Sequence, residues 1–428
     1  MNTLAARNGD SPRLLAKGDS HGDRPAATNA SVLRLMAAAP HRLLFLVGAG
    51  NVLAAMGWWA AWLVAARFGV PMPQPALPAG WMHAVIMQYM VLPSFIFGFL
   101  LTVFPRWLGA PALGARHYLP VGIGLLGGQM LTLAGLGGNA SLLQAGALLT
   151  LAGWSVGAFW LARVVVNAEK FTWHAVSALT ALCFGIAGLA CYALLLRRVD
   201  ASVAQAALKL GIFGALVPIY FTVCHRMIPF FTGNVVRGYE MVRPDWTLGA
   251  AWALLLAHLG LELTHQYAWT WIADVPLTAL FAGLLIAWWP RAAMPPLLRV
   301  LFLGFAWLPI AFALYAAQSA WFAGTGEFAL GRAPAHALFV GFFGSLLVAM
   351  VTRVTQGHSG RPLVLGKVAA FAFVVVQLCA VTRIVSELAP DALGWQAVAA
   401  VGWIVAFMPW VVRSAWIYLS PRVDGHPG

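Results

Sequence analysis

Charged residues are scarce in this chain: only 9% of its 428 residues are Asp, Glu, Lys or Arg, whereas 61% are hydrophobic. A water-soluble domain carries about a quarter charged residues, so this composition excludes an ordinary soluble fold. Apolar runs of about 20 residues recur along the sequence, and that length crosses the hydrocarbon core of a bilayer. The sequence therefore predicts an all-α polytopic membrane protein embedded in the lipid bilayer.

Cysteine is also scarce, and the signatures of several enzyme classes are missing. The four cysteines lie in apolar runs and form no CxxC pair, which argues against a disulfide framework. HExxH, GxSxG, Walker A and GxGxxG sequences do not occur in the context that their chemistry requires. The net charge of +13 needs no nucleic acid as a partner, because cytoplasmic loops of membrane proteins collect Lys and Arg.

Twelve spans are predicted, which places both termini on one side of the membrane. We predict a disordered cytoplasmic tail over 1–41, a twelve-helix domain over 42–418 and a short cytoplasmic tail over 419–428. Only six of the 26 Lys and Arg residues then lie on the outer side, as the positive-inside rule requires. The predicted spans are 43–66, 82–104, 119–138, 142–165, 173–196, 203–225, 246–264, 270–289, 300–322, 334–352, 366–386 and 395–418.

The second, sixth and tenth spans end in similar sequences, TVFPRW, TVCHRM and AMVTRV. Their arginines, Arg106, Arg226 and Arg353, each lie at a cytoplasmic helix end. This recurrence predicts three quasi-equivalent four-helix units, with the three equivalent helices around a common centre. The alternative is three independent arginines that extend towards the membrane surface.

Two histidines open two of these equivalent spans, in the sequences MHAVIM (82–87) and AHALFV (335–340). His83 and His336 therefore lie at the same depth, in the outer half of the membrane. A buried imidazole needs partners for its ring nitrogens, and a metal on one nitrogen satisfies that need. The pair could hold a haem iron between them, with Gly341 and Gly344 admitting a macrocycle or another helix. Two hydrogen-bonded interfacial histidines are the alternative.

Two further groupings could bind a metal ion. His83, Met87 and Met90 share a helix face and would suit haem or Cu(I), although such a stripe is also typical of packing. His258, Glu262 and His265 share another face, and a carboxylate with two imidazoles suits a divalent metal. The alternative is that these polar residues lie at the water-exposed end of a membrane helix and bind no metal.

Three stretches resemble the NnrS family, described as haem- and copper-containing membrane proteins of the bacterial nitric oxide response. The family's WHAHEM and GFLLTAVPNWTG correspond to MHAVIM and GFLLTVFPRWLG (98–109). Its GGRVIPFFT-like run corresponds to CHRMIPFFTG (224–233). Its HAL…TRV…GHTGRP corresponds to HALFVGFFGSLLVAMVTRVTQGHSGRPL (336–363).

The resemblance implies a b-type haem, with His83 and His336 as its axial ligands and copper as a second metal. It marks Arg353, His358 and Arg361 as a cationic turn suited to a haem propionate or a lipid headgroup. The sequence departs from the family's motif just after His83, because Val85 and Ile86 stand where the family has a second histidine and a glutamate. In the sixth span Cys224 and His225 replace glycines, so His225 could act as a compensating ligand.

Together these features predict a protein of the bacterial inner membrane that acts in nitric oxide metabolism or in resistance to nitrosative stress. Its partners would be nitric oxide, or a related small molecule, and a membrane electron donor. Helices two and ten also hold haem in the haem–copper oxidases and nitric oxide reductases, which the architecture resembles. Whether the chain turns over a substrate as an oxidoreductase stays open. A haem-free transporter and a copper-handling protein are the alternatives.

Overall fold

The structure, a computed structural model, describes residues 32–425, and in that range it is helical with no strand. Twelve helices, α1–α12, are long and apolar enough to cross a membrane. The predicted all-α polytopic fold is confirmed, and each predicted span overlaps one helix. The helices are Pro40–Phe68, Ala79–Leu108, Ala115–Gly135, Ala140–Val166, Trp173–Leu195, Ala201–Val235, Trp246–Leu263, Trp271–Trp288, Pro296–Thr325, Ala333–His358, Lys367–Val385 and Ala392–Tyr418.

The last part of the predicted tail is described by the structure. Residues 1–31 of the predicted tail lie outside the described range, but Val32–Met36 is a short helix and α1 begins at Pro40. His41 is buried rather than solvated, because it packs against the end of α10. After α12, the amide of Val423 donates to the carbonyl of Ser359 at 3.1 Å, so the chain beyond α12 is attached to the bundle.

The second, sixth and tenth helices share two features within the described bundle. Their apolar windows are 94%, 72% and 83% buried, whereas none of the other nine exceeds 61%. Each also contains a π-helical segment, at Met87–Val91 in α2, Leu210–Leu216 in α6 and Ala337–Gly344 in α10. These are the three helices for which the sequence predicts equivalent positions around a common centre.

The π-segment of α2 has a local cause and a tertiary partner. Pro93 follows the segment and has no N–H, so the carbonyl of Tyr89 loses its usual partner four residues on. The indole Nε1–H of Trp154 in α4 donates to that carbonyl at 2.9 Å. The Tyr89 hydroxyl in turn donates to the carbonyl of Ala207 in α6 at 2.5 Å. Irregular backbone is tolerated at this depth because neighbouring helices satisfy it.

The first and last helices pack side by side in opposite directions and close the bundle. At the start of α1, Arg42 donates to the carbonyls of Tyr418 and Ser420 at 3.2 and 3.0 Å. At the other end of α1, Arg67 pairs with Asp391 at 2.9 Å. The start of α1 and the end of α12 therefore lie at one end of the bundle, which we call the terminal face; the other end is the opposite face.

At the terminal face, two of the three equivalent arginines contact aromatic rings of another central helix. The Arg226 guanidinium lies 4.6 Å from the ring of Trp107 in α2. That of Arg353 lies 4.0 Å from the ring of Phe231 in α6. Because an arginine stacks well on an aromatic face, these contacts join the ends of the three central helices.

Candidate functional site

Two imidazoles with free nitrogens lie at the opposite face, where α2 and α10 begin. His83 stacks on Trp59 of α1, with centroids 4.4 Å apart and planes 7° from parallel, and neither ring nitrogen bonds to a described residue. His336 donates from Nδ1 to the carbonyl of Arg332 at 2.9 Å. That bond places the proton on Nδ1 and leaves the Nε2 lone pair free, which is the arrangement of a metal-binding histidine.

A buried arginine lies beside both imidazoles. Arg383 of α11 acts electrostatically on His83 and on His336, and the two histidines act on each other. Glu387 and the Ser386 hydroxyl hold the Arg383 guanidinium in place. The opposite face thus combines two imidazoles that have unbonded nitrogens with a buried arginine held by Glu387, side chains of the types that ligate haem iron and bind anionic groups.

The glycines after His336 serve helix packing. A Cβ on Gly341 would lie 2.5 Å from the Trp307 ring of α9, and one on Gly344 would lie 2.9 Å from the Trp403 ring of α12. Of the two expected uses of these glycines, the structure therefore shows the close approach of other helices. A macrocycle at His336 would have to lie on another side of α10.

His225 lies in a hydrogen-bonded chain near the terminal face. The Thr247 hydroxyl donates to the carbonyl of Pro244 at 2.7 Å, so its oxygen accepts from His225 Nε2–H at 2.9 Å. His225 Nδ1 then accepts from His174 Nε2–H at 2.9 Å. His174 Nδ1 accepts in turn from the Thr172 hydroxyl at 3.1 Å.

Both nitrogens of both rings in this chain are therefore occupied while the rings are neutral. His225 is fully buried. The structure gives it hydrogen-bond partners at the two positions where a metal could bind. To bind a metal as predicted, His225 would have to give up one of these two hydrogen bonds.

A buried ion network crosses α6, α7 and α8 near the opposite face. His258 Nδ1 lies 2.6 Å from Asp274 Oδ1, and its Nε2 lies 3.5 Å from Glu262 Oε1. Glu262 Oε2 pairs with Lys209 Nζ at 2.8 Å. The two bases and two carboxylates balance when His258 is protonated, which lowers the cost of placing charges in the membrane.

The second predicted metal grouping is only partly assembled. The structure brings His258 and Glu262 together, but His265 lies in an exposed turn at φ 59° and contacts the Tyr267 hydroxyl at 2.8 Å. Met87 is buried at the first residue of the α2 π-segment. Among the described residues, no group of three or more His, Cys, Asp or Glu side chains could hold a metal ion.

The remaining predicted residues lie at the terminal face, at the far end of α10 from His336. The His358 ring lies 4.3 Å from that of His41, Arg353 lies on Phe231, and the Arg361 guanidinium lies 5.2 Å from the Trp416 ring. A rise of 1.5 Å per residue puts His358 about 33 Å from His336. Any ligand of these three residues is therefore distinct from one bound at His83 and His336.

Several residues that contact the predicted site residues were not predicted from the sequence. Arg383, His174 and Asp274 complete three of the four clusters, each from a different helix than the histidine beside it. Asp274 could have been singled out from the sequence, because it is a carboxylate within the apolar run WIADVPLTAL and a carboxylate inside a membrane span needs a partner. Nothing in the sequence pairs it with His258.

The fold and its buried polar clusters define a polytopic α-helical membrane protein. A model of the family described as NnrS protein matches residues 35–422, nearly the whole chain. The chain belongs to the NnrS family. No curated protein matches its sequence.

Proposed function

We propose that this NnrS-family chain binds a b-type haem between His83 and His336 and acts in nitric oxide metabolism or in resistance to nitrosative stress. One observation carries the proposal: these two imidazoles, on two of the three central helices, have nitrogens that no described residue occupies. Such a haem would supply redox chemistry and an iron to which nitric oxide would bind.

Residues of this chain would orient the haem and compensate its negative charge. The carbonyl of Arg332 fixes the His336 tautomer, and Trp59 fixes the plane of His83. Arg383 would bind a propionate, since its guanidinium is buried and fixed by Glu387 and Ser386. This assigns the propionate to the opposite face, whereas Arg353, His358 and Arg361 would bind a separate anion, such as a lipid headgroup.

The departure in α2 bears on proton supply. Val85 and Ile86 stand where the family has a second histidine and a glutamate, and both are buried in the apolar core. They offer neither a ligand nor a proton donor. Any proton delivered to this site would come from bulk water at the opposite face, because an arginine keeps its proton, so electron exchange is the chemistry that this part of the chain favours.

We further propose that the terminal face is cytoplasmic and that the protein lies in the bacterial inner membrane. The Lys and Arg residues support this orientation, because only six of the 26 lie at the opposite face: Arg67, Arg197, Arg198, Lys209, Arg332 and Arg383. The haem would then lie near the outer surface, where it could accept electrons from a membrane donor.

The test is a pyridine haemochrome count on purified protein, with reduced-minus-oxidised spectra. We expect about one b-type haem per chain. His83→Ala and His336→Ala should each lower haem content at least about tenfold, or alter its spectrum. His265→Ala is the matched control, because His265 lies at the same face with its ring exposed, and it should keep wild-type haem.

The same samples separate the alternatives. Copper without haem would favour a copper-handling protein, and neither metal, in cells supplied with haem, would favour a transporter. Wild-type spectra in both histidine variants would overturn the ligand assignment.

A further inference from the structure

The three central helices enclose a cavity of about 50 Å³. It lies towards the terminal face from the His83–His336 pair, and each central helix contributes several side chains to its wall. Representative lining residues are Ile96 and Leu100 from α2, Ile219 and Cys224 from α6, and Leu347 and Val351 from α10.

The wall of this cavity is almost entirely apolar. Tyr220 and Cys224 carry its side-chain polar atoms, and the backbone groups of the surrounding helices already bond within those helices. A buried water needs two to four polar partners, although about 10–15 Å³ is space enough for one. The cavity has the volume for a water molecule but lacks the partners to hold it, and apolar cavities of this kind take up apolar atoms such as xenon.

We propose that this cavity is a binding site for a small, uncharged, apolar gas molecule. Its volume admits an atom or a diatomic molecule and excludes a macrocycle or a metabolite. An ion is excluded on energetic grounds, because the cavity contains no charged side chain to compensate for the loss of hydration. Such gases dissolve in hydrocarbon, so the bilayer itself can supply the ligand.

The cavity has an accessible side and an aromatic connection to the His83–His336 pair. Among its lining residues only Tyr220, Val223 and Val354 are half-buried, which places its opening between α6 and α10. From Tyr220 the rings continue to Phe343 at 4.6 Å and then to Phe339 at 5.3 Å. Phe339 is half-buried and follows His336 by three residues.

These packed rings join the wall of the cavity to the part of α10 that carries His336. Identifying the gas as nitric oxide, and its destination as the haem, rests on the proposed function. The cavity itself does not, because its chemistry follows from its lining residues.

The experiment uses xenon as the probe and full-length protein in nanodiscs. We expect one saturable site in a 129Xe NMR titration, and electron density for xenon in crystals pressurised with the gas. Val223→Phe should fill the cavity at its opening and weaken xenon binding at least about tenfold, since occupied volume removes the site. Val375→Phe, at a half-buried valine of α11 away from the cavity, should bind xenon like the wild type.

Val354→Leu is a second, smaller cavity-filling change, in case Val223→Phe does not fold. Absence of saturable xenon binding in the wild type would overturn the proposal, as would unchanged binding in whichever filled variant folds. Haem is counted in the same samples. Xenon binding without haem would support the cavity and refute the proposed function, whereas haem without xenon binding would do the reverse.

Discussion

Two groups of histidines inside the bundle differ in their partners, and the difference between them shows how a ligand is recognised. At the opposite face, His83 forms no hydrogen bond with a described residue and His336 forms one, through Nδ1. His174 and His225, in contrast, have both ring nitrogens hydrogen-bonded, and His258 bonds Asp274 through Nδ1 while its Nε2 lies 3.5 Å from Glu262. The second group is also more deeply buried than His83 and His336, so partners and burial together separate the two groups.

The two groups of histidines therefore have different roles, one in stability and one in ligand binding. An imidazole with both nitrogens occupied joins helices, because its removal leaves buried partners unsatisfied. An imidazole with a free nitrogen adds less to stability and is available to a ligand. The variants below test this division through the free energy of unfolding, measured by detergent titration of haem-free protein.

The largest loss of stability is expected for Asp274→Leu. It removes the carboxylate from His258, which is fully buried, and leaves a network with one carboxylate for two bases. Breaking a buried ion pair from one side costs about 3–5 kcal/mol. Glu327→Leu removes an exposed carboxylate and is the control. A loss below about 1 kcal/mol would show that His258 is neutral and that the network carries little charge.

A smaller loss is expected for His225→Leu. Thr247 and His174 each lose a partner, and an unsatisfied buried polar group costs about 1–3 kcal/mol. Haem content, counted in parallel on haem-loaded samples, should equal that of the wild type. Loss of haem together with stability would place His225 among the ligands and would remove the distinction between the two groups.

His336→Ala should destabilise the haem-free protein by only about 1 kcal/mol, because it removes one hydrogen bond, to the carbonyl of the exposed residue Arg332. The same change should lower haem content at least about tenfold or alter its spectrum, so the loss of haem is not matched by a loss of stability. A loss as large as that of Asp274→Leu would show that His336 has a structural partner in the membrane.

The smallest effect at neutral pH is expected for Asp391→Asn, at the start of α12. The Gly394 N–H, and then Arg67, lower the pKa of this exposed carboxyl. A pKa that is lower in the folded than in the unfolded chain adds stability above the unfolded value, and that stability disappears as the pH falls through the folded one. Asparagine keeps the helix cap but does not titrate. The variant should therefore lose part of the wild type's acid sensitivity, and identical pH profiles would show that the Asp391 charge contributes nothing.

The fold was largely predictable because membrane helices are long apolar runs, and the positions of most ends follow from composition alone. The sixth helix is the main exception. Its predicted end at residue 225 falls ten residues before the observed end, Val235, because Arg226 and Pro229 suggest a boundary that neighbouring helices override. The π-segments were not predictable either, since they depend on tertiary donors such as Trp154.

The sites were less predictable than the fold. Helical spacing correctly placed His258 beside Glu262, because both lie on one helix. The same spacing also predicted His265 on that face, whereas His265 follows the end of α7 and adopts a left-handed backbone. Partners contributed by other helices, such as Arg383 and His174, depend on how helices pack, and no local pattern contains that information.

The contacts between α1 and α12 have a consequence for biosynthesis. Arg42 enters the membrane with α1, but the carbonyls that it binds, of Tyr418 and Ser420, are translated much later, with the end of α12. Until α12 is inserted, the bundle stays open and a basic side chain is uncovered at the seam that α1 and α12 will form. A ribosome stalled before the twelfth helix would therefore leave that seam accessible to an insertion chaperone or to a membrane protease.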